Sequence, residues 1–127
     1  MILIGHPLID SGKFFRAKSK EDIDHSPNNS TIIIDDIVRG SDIAYFCNDN
    51  GVKYGVMVSS IKDAIIANGL NAKYIIVQKS DAKKIQNIAD EYLFESRILA
   101  IIDSEDEIEE LALLGIDGVI FKTLIIH

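Results

Sequence analysis

The chain has 127 residues, of which 47% are hydrophobic and 26% are charged. This length supports one core and is too short for two ordinary domains, so we expect a single domain over residues 1–127. The formal net charge of −7 repels phosphate backbones, which disfavours binding to nucleic acid or to an anionic membrane. A single cysteine excludes an intrachain disulfide, and neither a signal peptide nor an apolar run of ~20 residues occurs, so a soluble cytoplasmic protein is expected.

Short continuous apolar runs recur along the chain and predict buried β-strands. The runs cover residues 2–4, 31–34, 54–58, 74–77, 98–102 and 119–121, and a weaker run at 14–17 predicts an edge strand. Aromatic residues are few and tryptophan is absent, so the core depends on Ile, Leu, Val and Ala. This composition is typical of parallel strands that are buried on both faces.

Segments with the apolar spacing of helices lie between these strands. The apolar positions that mark them include Ile61, Ile85 and Ile108. A further helix is predicted to start near Ser41 or Asp42 and to stop at Asn50-Gly51. Alternating strands and helices predict βαβ crossovers, and hence an α/β fold with a mostly parallel sheet of five to seven strands. The architecture is expected to be three-layered or similar to a half-barrel.

The N-terminal region differs from the rest of the predicted domain. Residues 1–30 are expected to form a strand and an edge extension, and residues 31–124 to form repeated βα units. Residues 22–29 are polar, and residues 26–29 within them predict a turn that leads into the next strand. Cys47 lies on the predicted helix beside Ala44, which indicates a buried small apolar residue and not a nucleophile.

An internal repeat is the most specific pattern in the sequence, since residues 58–77 align without a gap to residues 102–121. In each unit the helix ends near a residue that tolerates a left-handed conformation, Asn71 or Gly115. Each helix starts with a serine followed three residues later by an acid, as in a capping box. The pairs are Ser60 with Asp63, Ser104 with Glu107 and, near the N-terminus, Ser19 with Asp22.

The stretch 31–124 resembles a response-regulator receiver domain. Residues 32–36 are similar to the first strand of that family with its acidic pair, and residues 73–78 to the strand that ends in the phosphoacceptor. Residues 115–122 are similar to the closing strand with its lysine. The resemblance implies a parallel sheet with a site at the carboxyl ends of its strands.

This resemblance also implies roles for individual residues. Asp35 and Asp36 match the metal-binding acids of the family, and Lys122 matches its phosphate-sensing lysine. Gln78 stands at the phosphoacceptor position, where its amide cannot form an acyl phosphate. We therefore expect a receiver-like shape without phosphorylation chemistry.

The C-terminal third resembles a second family, the TIM-barrel phosphodiesterases of the glycerophosphodiester type. Residues 98–107 and 114–120 are similar to the last units of that barrel, and His6 follows a strand as the catalytic histidine of the family does. Pro7 follows His6 where the family has Arg-Gly, and the chain has about half of the ~250 residues of a full barrel. The resemblance implies a half-barrel or a flattened open sheet.

Both resemblances place a ligand at the carboxyl ends of the strands, where parallel α/β proteins bind their ligands. The candidate ligand-binding residues at these ends are Asp35, Asp36, Gln78, Asp103 and Lys122. Oxygen ligands suit Mg²⁺, so Asp35 and Asp36 form the candidate metal site. Alternatively, one of these acids caps the next segment while the other acid and the lysine are solvated.

Two classes of function remain open. The first is a non-catalytic binding or protein-interaction module, whose apolar tail Leu124-Ile125-Ile126 suits a protein partner or a homodimer. The second is an enzyme or small-molecule binder of partial TIM-barrel type that takes a phosphorylated ligand. A third hypothesis is that two half-barrels pair into a full barrel across a dimer.

Overall fold

Residues 1–125, the part of the chain that the computed structural model describes, form seven strands and five helices, which alternate from the second strand onward. The strands are β1 (Ile2–Ile4), β2 (Phe14–Arg16), β3 (Thr31–Ile34), β4 (Tyr54–Met57), β5 (Tyr74–Gln78), β6 (Arg97–Ile102) and β7 (Gly118–Phe121). The helices are α1 (Lys20–Asp24), α2 (Ser41–Asp49), α3 (Ile61–Gly69), α4 (Lys79–Glu91) and α5 (Ile108–Leu113). Short 3₁₀ turns cover Glu105–Glu107 and Lys122–Leu124. The predicted α/β class is confirmed.

All seven strands belong to one sheet, in the order β1-β7-β6-β5-β4-β3-β2, and every pair is parallel. From β2 to β7 each strand lies beside the next strand in the chain, without the reversal of order seen in open doubly wound sheets. β1 and β2 are consecutive in the chain but lie at opposite edges. The sheet therefore winds in one direction, as a barrel does, and has two free edges.

The sheet is curled into a half-barrel. The ring of Phe14 on β2 lies 6.1 Å from the ring of Tyr74 on β5, measured between centroids. Two strands separate β2 from β5, so a flat sheet would hold them about 14 Å apart. The contact across the concave face follows from the curl, which confirms the half-barrel alternative of the prediction.

Each face of the sheet has its own apolar core. The outer core, on the convex face, joins strand residues such as Ile32 and Ile75 to helix residues such as Ala64 and Ile85. The inner core, on the concave face, contains no residue of the five helices, so the helices cover the convex face only. Its buried members are Ile4, Ile33, Tyr74, Ile76, Leu99, Ile120 and Ile125.

The helix ends agree with the predicted capping pattern. The hydroxyls of Ser19 and Ser104 belong to complete capping boxes, and that of Ser60 accepts the amide of Asp63. Positive φ angles of 68° at Asn71 and 75° at Gly115 follow α3 and α5, as expected where a helix ends. The box at Ser19 starts α1, a short helix that precedes the turn predicted at residues 26–29.

The segment that follows β7, residues Lys122–Ile125, turns back onto the inner core. Ile125 is 4% exposed there, and Leu124 packs against the same core. Gly5, with a φ of 95°, makes room for this segment, since an added Cβ would lie 2.9 Å from Leu124 Cδ1. Two residues of the apolar tail are thus covered by their own chain, and Ile126 lies outside the described residues.

Cys47 is fully buried in the outer core, as predicted, and burial raises the pKa of its thiol to about 11. Burial also raises the pKa of Tyr54, whose hydroxyl donates a hydrogen bond to the carbonyl of Leu70. Along residues 1–125, no helix is both long enough and apolar enough to cross a membrane.

Candidate functional site

A pocket of about 310 Å³ lies at the carboxyl ends of β2 and β3, beside the start of α2. Half of its lining is apolar or glycine and half is charged. The residues that line it are Ala17, Lys18, Ile34, Asp35, Asp36, Arg39, Gly40 and Ile43. The pocket lies where parallel α/β proteins bind ligands, and both acids of the candidate metal site line it.

Asp35 forms the inner wall of this pocket. Side chains two residues apart share a face of a strand, so Asp35 follows Ile33 toward the concave side of the sheet, as Arg16 follows Phe14 on β2. The two meet there, and Arg16 Nε donates to Asp35 Oδ1 at 2.6 Å. The two side chains are 30% and 33% exposed. The carboxylate of Asp35 is therefore already paired with a cation.

Asp36 turns away from Asp35 and caps the segment that leads into α2. Its Oδ1 accepts the amides of Val38 at 2.9 Å and Arg39 at 3.3 Å, in an Asx-type turn. Its backbone oxygen accepts the amide of Gly40 at 2.8 Å. These bonds match the alternative in which one of the two acids caps the next segment.

The two cations that line the pocket, Lys18 and Arg39, differ from Asp35 in their charge partners. Among residues 1–125, neither Lys18 nor Arg39 forms an ion pair. The backbone of Lys18 is fixed by Asp22, whose carboxylate accepts its amide at 2.8 Å. This hydrogen bond from Lys18 is the main cause that lowers the pKa of Asp22. Helix α2 begins beside Arg39 at Gly40 and has no side-chain cap.

The other three predicted ligand-binding residues do not line the pocket. Gln78 is the exposed N-cap residue of α4 and makes no side-chain hydrogen bond to the helix. Asp103 is exposed after β6, and its backbone amide donates to Glu107 Oε2 at 2.7 Å. Lys122 is exposed in the 3₁₀ turn after β7. The predicted set is therefore not gathered around one cavity.

A second charged cluster joins the carboxyl ends of β5 and β6. Lys79 Nζ lies 3.0 Å from Glu107 Oε1 and 3.1 Å from Glu110 Oε1. The hydrogen bond to Glu107 is the main cause that raises the pKa of Lys79, and the same bond lowers the pKa of Glu107. Because Glu107 also closes the capping box at Ser104, this cluster fixes the start of the last helix.

His6 has partners on both ring nitrogens. Nε2 lies 2.9 Å from Glu105 Oε2, and Nδ1 accepts the amide of Leu8 at 3.1 Å. An imidazole that donates through Nε2 and accepts through Nδ1 accounts for both contacts. The imidazole also packs edge-on against Phe121, with ring centroids 6.0 Å apart. With neither nitrogen free, His6 holds the turn after β1.

Within residues 1–125, no group of three or more His, Cys, Asp and Glu side chains is arranged to hold a metal ion. At the candidate metal site, Asp35 is paired with Arg16, and Asp36 accepts two amides. Magnesium binding at these acids stays a prediction.

Three basic residues at this edge were not among the predicted site residues: Arg16, Lys18 and Arg39. Alternation along β2 places Arg16 on the face of Phe14, but its partner is 19 positions away in the chain. Arg39 precedes the glycine that starts a helix, which is the signal that could have identified it. Two unpaired cations beside a partly apolar cavity can hold a small anion.

No protein-family model matches this chain, and no curated protein matches it.

Proposed function

We propose that this chain is a non-catalytic binding domain that holds a small anion, a phosphate or carboxylate group of a ligand, in the pocket at the ends of β2 and β3. The observation that carries this proposal is the pair of cations, Lys18 and Arg39, which line the pocket without counterions in the described residues. A non-catalytic binding module is the first class of function predicted from the sequence. The phosphorylated ligand and the site at the carboxyl ends of the strands come from the second class.

The local charge favours an anion although the chain as a whole carries −7. The charge of Asp35 is offset by Arg16, whereas Asp36 accepts two neutral amides and keeps its charge. Lys18 and Arg39 outnumber Asp36, so positive charge exceeds negative charge at the pocket. The start of α2 adds a partial positive charge beside them.

His6, which follows β1, is held by contacts within the chain. Its Nε2 lies next to Glu105 and its Nδ1 accepts the amide of Leu8, so the proposal assigns His6 a role in the turn after β1 and not in catalysis. The one-directional strand order supports the barrel-type resemblance more than the receiver-type resemblance, because open doubly wound sheets reverse their order. In TIM barrels the active sites lie at the carboxyl ends of the strands, and a phosphate site is frequent on that face.

Inorganic phosphate is the probe that tests this proposal, by calorimetry and by thermal unfolding. We expect phosphate to raise the unfolding temperature by mass action. Lys18→Met and Arg39→Met should each weaken phosphate binding by about tenfold, since each removes a charge-assisted bond. Lys122→Met is the matched control: this lysine is exposed and outside the pocket, so affinity should not change. Absence of stabilisation at millimolar phosphate, or an equal loss in all three variants, would contradict the proposal.

A further inference from the structure

Arg16 connects the pocket to the C-terminal segment Lys122–Ile125. Its Nε donates to Asp35 Oδ1 at 2.6 Å, and its Nη1 donates to the carbonyl oxygen of Ile125 at 2.8 Å. Asp35 lines the pocket, whereas Ile125 lies in the inner core. One guanidinium thus bonds to a pocket wall and to a residue 109 positions away in the chain.

The attachment of the C-terminal segment is local and small. Ile125 is 4% exposed and Leu124 is half-buried, and both pack on the inner core. The amide of Ile125 donates to the carbonyl of Lys122 at 2.9 Å, so the segment ends in a single 3₁₀ turn. Among the described residues, two apolar side chains and one arginine hold this short turn, and such a turn can open without unfolding the sheet.

We propose that an anion in the pocket loosens the C-terminal segment through Arg16, an inference that rests on the proposed function. A second negative charge beside Asp35 increases the electrostatic pull on the guanidinium toward the pocket. As Arg16 moves toward this charge, its bond to the carbonyl of Ile125 lengthens. The segment then loses its polar contact with β2, whereas the apolar contacts of Leu124 and Ile125 remain.

Linkage makes this effect reciprocal. If the anion weakens the attachment of the segment, then the attached segment must weaken anion binding by the same factor. Ile125→Ala removes the main apolar anchor and keeps the backbone carbonyl, so it should tighten phosphate binding by about fivefold, at the lower end of typical couplings. Ile116→Ala is the matched control, because Ile116 is also 4% exposed but lies in the outer core.

The experiment measures phosphate affinity by calorimetry and amide hydrogen exchange of Thr123, Leu124 and Ile125 by NMR. In the unmodified chain, phosphate should speed exchange at these amides. In Arg16→Gln, exchange should already be fast without phosphate and should not respond to it. If Ile125→Ala does not fold, Leu124→Ala tests the same anchor.

The outcomes separate the two proposals. Phosphate that binds and leaves both the exchange rates and the Ile125→Ala affinity unchanged overturns this inference and leaves the proposed function intact. Slower exchange with phosphate also overturns it, because the anion would then tighten the segment. Failure of phosphate to bind overturns both proposals. Faster exchange together with tighter binding in Ile125→Ala, and no change in Ile116→Ala, supports the coupling.

Discussion

Gly40→Ala is expected to disturb the candidate site by adding one methyl group at its wall. Gly40 precedes α2 and lines the pocket with Ile34 and Asp36. An added Cβ would clash with Ile34 Cγ2 and would lie 2.9 Å from the backbone oxygen of Asp36. Neither neighbour can rotate away, because Ile34 is 1% exposed and the second contact is backbone.

The loss of unfolding free energy in Gly40→Ala depends on how far these contacts displace α2. Non-bonded carbon atoms are comfortable at about 3.5–4.0 Å, so α2 must move away from β3 by about 1 Å. Overpacking of this kind costs about 1–3 kcal/mol of unfolding free energy. Ile34→Ala removes the closer neighbour, so the double variant should be less destabilised than the sum of the single variants by about 1 kcal/mol.

Urea denaturation of the single and double variants tests this reasoning. Gly69→Ala is the control, because its added Cβ would meet no atom within 4 Å at the end of α3. An exposed helical alanine in place of glycine should be neutral or stabilise the protein by up to about 1 kcal/mol. If Gly40→Ala proves as stable as Gly69→Ala, then α2 does not pack on β3 as described.

Three further changes have expected outcomes. The pKa of Glu107 is lowered in the folded state, so its carboxylate stabilises the fold above the ordinary pKa range of glutamate. This stabilisation is lost as the pH falls through the pKa of the folded state. The urea midpoint should therefore fall less steeply from pH 7 to pH 3 for Glu107→Gln than for the unmodified chain. Cys47, with a pKa raised to about 11, should react with iodoacetamide at pH 8 only as fast as the chain opens, and rapid labelling would contradict its burial. Leu93 has a φ of 53° and is 85% exposed. Leu93→Gly should therefore raise the unfolding free energy by about 1 kcal/mol. A lower unfolding free energy would show that the leucine side chain makes a stabilising contact.

Local features of the fold could be predicted because short-range chemistry determines them. The apolar run at residues 31–34 is β3, and the serine–acid spacing at Ser104 is a complete capping box. The left-handed residues Asn71 and Gly115 follow their helices as expected. In each case the signal lies within about one turn of helix or one strand. The same holds for the burial of Cys47, which follows from its helical neighbours.

The arrangement of the site depends on contacts that local patterns do not contain. Arg16 bonds to Asp35 and to Ile125, 19 and 109 positions away, and only the curl of the sheet brings these residues together. Alternation allows Asp35 and Asp36 to diverge but does not indicate which of them lies on the concave side. The resemblance to the receiver family implies a functional role for Lys122, yet this lysine lies outside the pocket that Lys18 lines.

The central claim is that an anion binds at the ends of β2 and β3, and an NMR titration with inorganic phosphate tests it most directly. The claim predicts saturable shifts at the amides of Lys18, Arg39 and the first turn of α2, with further shifts at residues 123–125 if the coupling through Arg16 holds. Shifts confined to Lys79 or Lys122, or no saturable shift in the first turn of α2, would contradict it.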